Sequence, residues 1–281
     1  MKFPYQTVDQ ITPDLKGFYR ISHEAYHAGP GLSSTRVKKA LTSHAAYMHQ
    51  DDFDSNALSF GRAFHMALLE PGLFKATYVV WGGSVRRGKA WDDFCLRQIG
   101  KEILTIEEHE TIREMVRTVK AHPEQADCGD FQPEIMAIAT CPETGLLLKC
   151  KSDLIGGTII DYKTTSSGVH SSDFMHDVVK WRYHVSAAFY QDIIATLTGE
   201  RLPFLLVPVT KKAPFECEFY ELAPELIEEG RKLYKAALKR IKKWNEDPKE
   251  AQISEKKLRT LYPSARLVYS TQEILSFIEG S

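Results

Sequence analysis

Apolar positions along the chain fall into two spacings, one helical and one strand-like, and their order outlines the fold. Ser33 precedes a stretch, 35–48, in which Val37, Ala40, Leu41 and Ala45 share one helical face, so Ser33 reads as an N-cap. A second helix is expected over 58–69, closed by Glu70-Pro71-Gly72. A short strand at 77–81 leads into a glycine-, arginine- and lysine-bearing loop, 82–89, which reads either as a solvated loop or as a mobile arm near a phosphate backbone; a helix over 106–121 follows. Runs at 133–140, 146–155 and 158–164 have strand character, with Gly156 and Gly157 turning the last two into a hairpin. A helical region spans 172–198 with a break near Lys180. Strands are expected at 204–210 and 216–222, and a charged amphipathic helix at 224–245. This mixture predicts an α/β (α+β) domain over 1–248, with a central mixed sheet and an antiparallel hairpin flanked by helices. The pattern weakens after Pro248, so 249–281 is expected to be a tail for interaction or oligomerisation.

Composition narrows the function classes. Hydrophobic residues make up 43% and charged residues 26% of the 281, which suits a soluble globular chain and excludes a disordered one. The net charge of −1 excludes a uniformly basic surface, so any nucleic-acid contact must use charge gathered into a groove or pore. Cys95, Cys128, Cys141, Cys150 and Cys217 are odd in number and form no C-x-x-C pair. They read as reduced thiols of a cytoplasmic protein and argue against an iron–sulfur cluster. Neither a signal peptide nor a membrane span is expected.

The chemistry concentrates on the hairpin. Asp161 and Lys163 are two apart on one strand and so share a face, at the end of the apolar run Thr158-Ile159-Ile160. An isolated surface pair of this kind would contribute under about 1 kcal/mol. Asp153 lies on the partner strand. A two-residue loop would set it opposite Ile160, whereas a three-residue loop, or an equivalent bulge, sets it opposite Asp161; the glycines favour the latter. Two close carboxylates repel unless a cation lies between them, and oxygen ligands select Mg²⁺, with Mn²⁺ as a substitute. Lys163 would then stabilise a pentavalent phosphate or help deprotonate a water. Glu134, near the start of an upstream strand, and His65, on the second helix, complete the set, with Gly61 allowing that helix to approach the sheet.

The order Gly61-Arg62-Ala63-Phe64-His65, Pro133-Glu134, Asp153, Asp161-Tyr162-Lys163-Thr164-Thr165 resembles the motif order of the PD-(D/E)xK nuclease superfamily, in its RecB-like branch. With Arg182-Tyr183-His184-Val185 and Ala188-Phe189-Tyr190, the stretch 32–222 is similar to RecE-like (exonuclease VIII) nucleases. The resemblance implies a 5′→3′ exonuclease on linear double-stranded DNA that leaves 3′ tails for a single-strand annealing partner. It further implies a ring, trimeric or tetrameric, and no nucleotide cofactor. By position it implies His65, Asp153, Asp161 and the Tyr162 carbonyl as metal ligands, Lys163 as the catalytic lysine and Glu134 as the upstream acid. The family's Gln-x-x-x-Tyr departs here: Tyr190 is present but Ser186 stands at the glutamine position, with His184 or Gln191 as substitutes. A 5′-end enzyme needs a phosphate pocket, and Ser33, Ser34 and Arg36 at a helix N-terminus are the candidates. Arg62, Arg182 and Arg86-Arg87 are further DNA contacts. An endonuclease or Cas4-like enzyme, and an inactive DNA-binding module, are the competing readings; the complete Asp153, Asp161 and Lys163 set speaks against the last.

Overall fold

A computed structural model describes residues 2–49 and 56–249, so most of the expected tail lies outside the described residues. The chain opens with β1 (Gln6–Thr7), β2 (Gly17–Arg20) and α1 (His23–Ala28). α1 is capped by Ser22, whose Oγ accepts the Ala25 N–H. Next come α2 (Ser34–Thr42) and α3 (His44–Met48). The single helix expected over 35–48 is therefore two, because extended Ser43 ends the first and caps the second by accepting the Ala46 N–H at 2.9 Å. α4 (Asn56–Leu69) stops before Pro71 as expected, yet Pro71 also starts α5 (Pro71–Thr77), where its missing N–H is no loss. β3 (Tyr78–Trp81), α6 (Lys89–Arg97), β4 (Glu102–Thr105), α7 (Ile106–Ala121) and α8 (Pro123–Ala126) follow.

The second half of the chain holds β5 (Gln132–Thr140), β6 (Leu147–Ile155), β7 (Ile159–Thr165), α9 (Ser171–Lys180), α10 (Tyr183–Thr198), β8 (Phe204–Thr210), β9 (Tyr220–Glu221) and α11 (Pro224–Glu246). The last strand is much shorter than the 216–222 expected; only a Val209–Cys217 bridge extends it. Seven strands form one mixed sheet in the order β1-β2-β5-β6-β7-β8-β9, while β3 and β4 pair in parallel apart from it. β7 and β8 are parallel, which requires a crossover, and α9 and α10 provide it. One sheet face buries Ile135, Ala137, Cys150, Ile159 and Leu206 under apolar faces of α2, α9, α10 and α11. The other buries Leu154, Ile160, Tyr162 and Val207 under Ala63 and Phe64 of α4 and Met115 and Val119 of α7. α11 lies so close to α10 that a Cβ at Gly230 would stand 2.2 Å from the His184 carbonyl oxygen.

The hairpin has the three-residue loop. Leu154 pairs with Ile160 and Ile155 with Ile159, and the Gly156 N–H donates to the Thr158 carbonyl. The register thus sets Asp153 opposite Asp161, but the β6–β7 ladder stops one residue short of them. Each strand continues on its other neighbour, β6 on β5 and β7 on β8. The approach of α4 at Gly61 is looser than expected, since a Cβ there would meet only Thr164 Oγ1, at 4.0 Å.

Candidate active site

Alternation along β7 sends Tyr162 into the α4–α7 core, where its hydroxyl donates to Gln125, and leaves Asp161 and Lys163 together on the opposite side. Lys163 Nζ lies 2.6 Å from Asp161 Oδ2 and 5.4 Å from the centre of the Tyr183 ring. Across the splayed hairpin Asp153 uses both oxygens. Oδ2 accepts the Tyr162 backbone N–H at 2.7 Å and Oδ1 lies 3.1 Å from His65 Nδ1. Asp153 therefore replaces the ladder bond that the backbone omits.

Glu134 reaches the site through an unusual backbone. Its φ is +56°, in the left-handed region that an L-residue enters at a cost. The β5–β6 ladder pairs Pro133 with Leu154 and Ile135 with Ser152 and skips Glu134 between them. The carboxylate bonds Lys151 at 2.5 Å. Ligand atoms of His65, Glu134 and Asp153 lie within 4.8 Å of one another. Backbone strain held at a functional cluster is consistent with its role in shaping the cluster.

The electrostatics are those of a buried, charged cluster. Burial raises the Glu134 pKa, against the pull of Lys151. Burial likewise leaves Asp161 above its ordinary value despite Lys163. For Asp153 burial is outweighed by His65, Lys163 and the Tyr162 N–H, so its pKa falls. For His65 and Lys163 burial is outweighed by the carboxylates, Asp153 for the first and chiefly Asp161 for the second, so both rise. Two carboxylates and an imidazole that converge while partly desolvated suit a hard divalent cation. In the structure Glu134 completes this donor set, while Asp161 is engaged with Lys163 and Tyr162 offers its N–H to Asp153.

The other candidates separate. Ser33 Oγ caps α2 by accepting the Arg36 N–H, and Ser34 is buried, which removes it from a phosphate pocket. The Arg36 guanidinium lies 4.5 Å from the Tyr47 ring centre. Arg62 faces Glu102 at 3.8 Å and lines the hollow that holds His65, Glu134 and Asp153. Arg182 donates to the Lys38 carbonyl and Thr42 Oγ1, fastening the end of α2. Tyr190 packs against Phe204 and is partly buried, and burial, with Asp161 and Asp153 nearby, raises the pKa of its hydroxyl. Gln191 donates to the Leu202 carbonyl and accepts from Arg231, which engages it away from the substitution for Ser186. Arg86 is not free in a mobile arm: it donates to the Ile103 carbonyl and to Glu108.

In the sequence Lys38 stands out only as a cation, with Lys39, following Arg36, and nothing there places it near Lys163. Its Nζ donates to the Trp181 carbonyl and lies 5.9 Å from the Tyr183 ring centre, the ring that also faces Lys163. Burial, then Lys163, pushes its pKa down to about 8.

The five cysteines are free thiols, and no helix among the described residues is long and apolar enough to cross a membrane. A family profile described as a PDDEXK-like domain of unknown function (DUF3799) matches residues 33–257. Among solved structures, a Eubacterium rectale protein classed provisionally as an exonuclease superposes with a TM-score of 0.57 and 16% identity, covering 87% of this chain and 96% of that one. At that identity the likeness speaks for the fold. No match is found among curated proteins.

Proposed function

Since this chain belongs to the family of PDDEXK-like domains (DUF3799), we propose that it is a metal-dependent deoxyribonuclease acting 5′→3′ on ends of linear double-stranded DNA. The observation that carries the reading is the convergence of His65, Glu134 and Asp153 beside the Asp161–Lys163 pair. Mg²⁺, or Mn²⁺ in its place, would be held by His65, Glu134 and Asp153, with Asp161 joining when Lys163 turns to substrate. Such an ion supplies Lewis acidity toward a phosphate oxygen and a more acidic water.

The protein's own groups have separable tasks. Lys163, kept protonated by its two carboxylates, places positive charge where the attacked phosphate accumulates negative charge. Asp161 positions that ammonium. Asp153 orients the His65 ring and fixes the Tyr162 backbone, and Lys151 holds Glu134 toward the other ligands. Lys38 adds a second cation behind Tyr183. Ser33 and Arg36 are the proposed contacts for a 5′-phosphate. The 5′→3′ polarity, the ring of three or four chains, the annealing-protein partner and action in the cytoplasm rest on the family resemblance.

The test is digestion of linear duplexes labelled at either end and carrying 5′-phosphate or 5′-hydroxyl, in Mg²⁺ or EDTA, beside Asp161→Ala and a closed circular duplex. Mg²⁺-dependent loss from 5′ ends, absent on the circle and in the variant, is expected. Cleavage of the circle would make the protein an endonuclease. Absence of cleavage under every condition would make it an inactive DNA-binding module.

A further inference from the structure

Asp161, Lys163 and Thr165 alternate along β7 and so share one face of the strand. The first two form the charged pair of the candidate site. Thr165, 3% exposed, reaches instead across to α9, where its Oγ1 donates to Asp177 Oδ2 at 2.7 Å. The other oxygen of that carboxylate, Oδ1, accepts from Ser167 Oγ at 3.2 Å, and the Ser167 N–H donates to Thr165 Oγ1 at 2.9 Å. Thr165, Ser167 and Asp177 thus close a ring of hydrogen bonds where β7 ends and the crossover begins. An ionised carboxylate only accepts, so both hydroxyls must donate to it, and a lone pair of Thr165 Oγ1 is left for the Ser167 amide. Every bond in the ring therefore has one direction.

Asp177 is the informative residue. It is 9% exposed and stands on the face of α9 that buries Phe174 and Val178. Hydroxyls hold its side chain, and among the described residues no Lys, Arg or His pairs with it. A buried carboxylate without a counter-charge is costly, and stability alone would favour an apolar side chain at this place. What the ring holds is the corner after α9. The Trp181 N–H donates to the Asp177 carbonyl, left-handed Arg182 turns the chain, and Tyr183 opens α10 with its ring centre 5.4 Å from Lys163 Nζ. Burial raises the Tyr183 pKa to about 12, with Lys163 opposing and Asp161 and Asp177 adding to the rise, so a neutral ring faces the ammonium. β7 lies along β8 throughout and meets β6 at two residue pairs, but neither neighbour ties it to α9. The Thr165–Asp177 bond does.

We propose that Asp177 is a positioning residue for Lys163: through Thr165 and Ser167 it locks the end of β7 to α9 and so fixes where the Lys163 ammonium stands against the Tyr183 ring. The effect on cleavage rests on the nuclease reading; the lock itself does not.

Three variants of the full chain test it, each checked for folding by thermal melting. Thr165→Val keeps the side-chain shape without the hydroxyl, Thr165→Ser keeps the hydroxyl, and Asp177→Ala removes the acceptor. On linear duplex in Mg²⁺, Thr165→Val and Asp177→Ala are expected to lower kcat by up to about 10²-fold, the loss that a misplacement of roughly 1 Å brings, with KM unchanged. Thr165→Ser should match the parent. In a Lys163→Met background Asp177→Ala should cost nothing further, because its effect runs through the lysine. A full additional loss in that background would overturn the proposal, as would a folded Thr165→Val with the parent's kcat. The second readout needs no cleavage. Acetylation of amines in EDTA, followed site by site by mass spectrometry, should label Lys163 several-fold faster in Thr165→Val and Asp177→Ala than in the parent or Thr165→Ser, while exposed Lys75 reacts alike in all. Equal labelling of Lys163 in the four proteins would overturn the lock. Faster labelling in the variants of a parent that cleaves no DNA would instead leave the lock standing and remove the nuclease reading.

Discussion

Replacing Gly230 by alanine reverses the usual effect of that substitution. In the middle of α11 the exchange should favour the helix by about 1 kcal/mol. Here the new methyl would stand 2.2 Å from the His184 carbonyl oxygen, 2.6 Å from its carbon and 3.0 Å from the Val185 nitrogen. All three are backbone atoms and cannot rotate away. To reach ordinary contact distance α11 must retreat by roughly 1 Å, loosening Tyr234, Ala237, Leu238 and Ile241 from the core they share with α10. Overpacking of this kind typically costs about 1–3 kcal/mol and sometimes more, which outweighs the helix gain, so a net loss of about 2 kcal/mol is expected. For a domain near this size that lowers the midpoint of thermal melting by roughly 4–8 °C. Because α10 begins at Tyr183, the ring beside Lys163, cleavage of linear duplex should fall as well, even well below the new midpoint. Thermal melting and a cleavage assay on the same preparation decide the matter. An unchanged or raised midpoint would refute the close backbone contact between α10 and α11.

Lys163→Met should lower the cleavage rate roughly 10²–10³-fold while leaving Mn²⁺ binding by calorimetry in place, and a rate within about tenfold of the parent would exclude the charge-stabilising role. Asp192 accepts from Arg231 at 2.8 Å, Arg201 at 3.2 Å and the Tyr234 hydroxyl, so Asp192→Ala should cost about 2 kcal/mol in urea denaturation at pH 7. Burial would raise the Asp192 pKa, but these donors outweigh it and hold it below 3.8, so this contribution is present above that pH and lost as acid carries the solution through the folded value. Parent and Asp192→Ala should then converge in stability at the acid end; a gap independent of pH would count against the carboxylate's charge. Lys149 gives the same slope from the opposite cause, because here burial penalises the charged form. Its folded pKa of about 8 is below the ordinary 10.5, so the unfolded chain binds the extra proton between these values and the parent should gain stability across that window relative to Lys149→Met. Parallel curves for the two proteins would show that Lys149 keeps an ordinary pKa.

The parts of this fold legible in the sequence are those whose periodicity runs long or whose geometry is quantised. α7, α10, α11, β5 to β8 and the break near Lys180 follow from apolar spacing. The opposition of Asp153 and Asp161 follows from counting across two glycines, because a strand register can only be right or wrong by whole residues. What escaped was short or tertiary. The six residues of α1 are too few to show a period, and without α1 the alternation Lys149, Lys151, Asp153 resembles a wet strand face. In fact Lys149 is buried against Tyr26, whose carbonyl accepts its ammonium. Nor does the pair Pro133-Glu134 carry any sign of a left-handed residue, since that conformation is imposed by the elements around it. The 216–222 run has strand composition, but a residue forms a ladder only where a neighbour is aligned to receive it.

The stop in the β6–β7 ladder gives the sheet a mechanical character. Two residue pairs join these strands, and beyond them the Tyr162 amide rests on the Asp153 side chain. The sheet therefore has a seam with few backbone pairs between β6 and β7, and the helices packed on both faces bridge it. On one side of the seam stand Glu134 and Asp153, on the other Asp161 and Lys163. The Asp153 carboxylate thus ties the strand that carries Glu134's neighbour to the strand that carries Asp161 and Lys163, so what Asp153 holds bears directly on the seam between the two halves of the candidate site. The Tyr162 amide is the natural reporter of that seam, and its hydrogen exchange should respond to metal more than that of any other amide in β7.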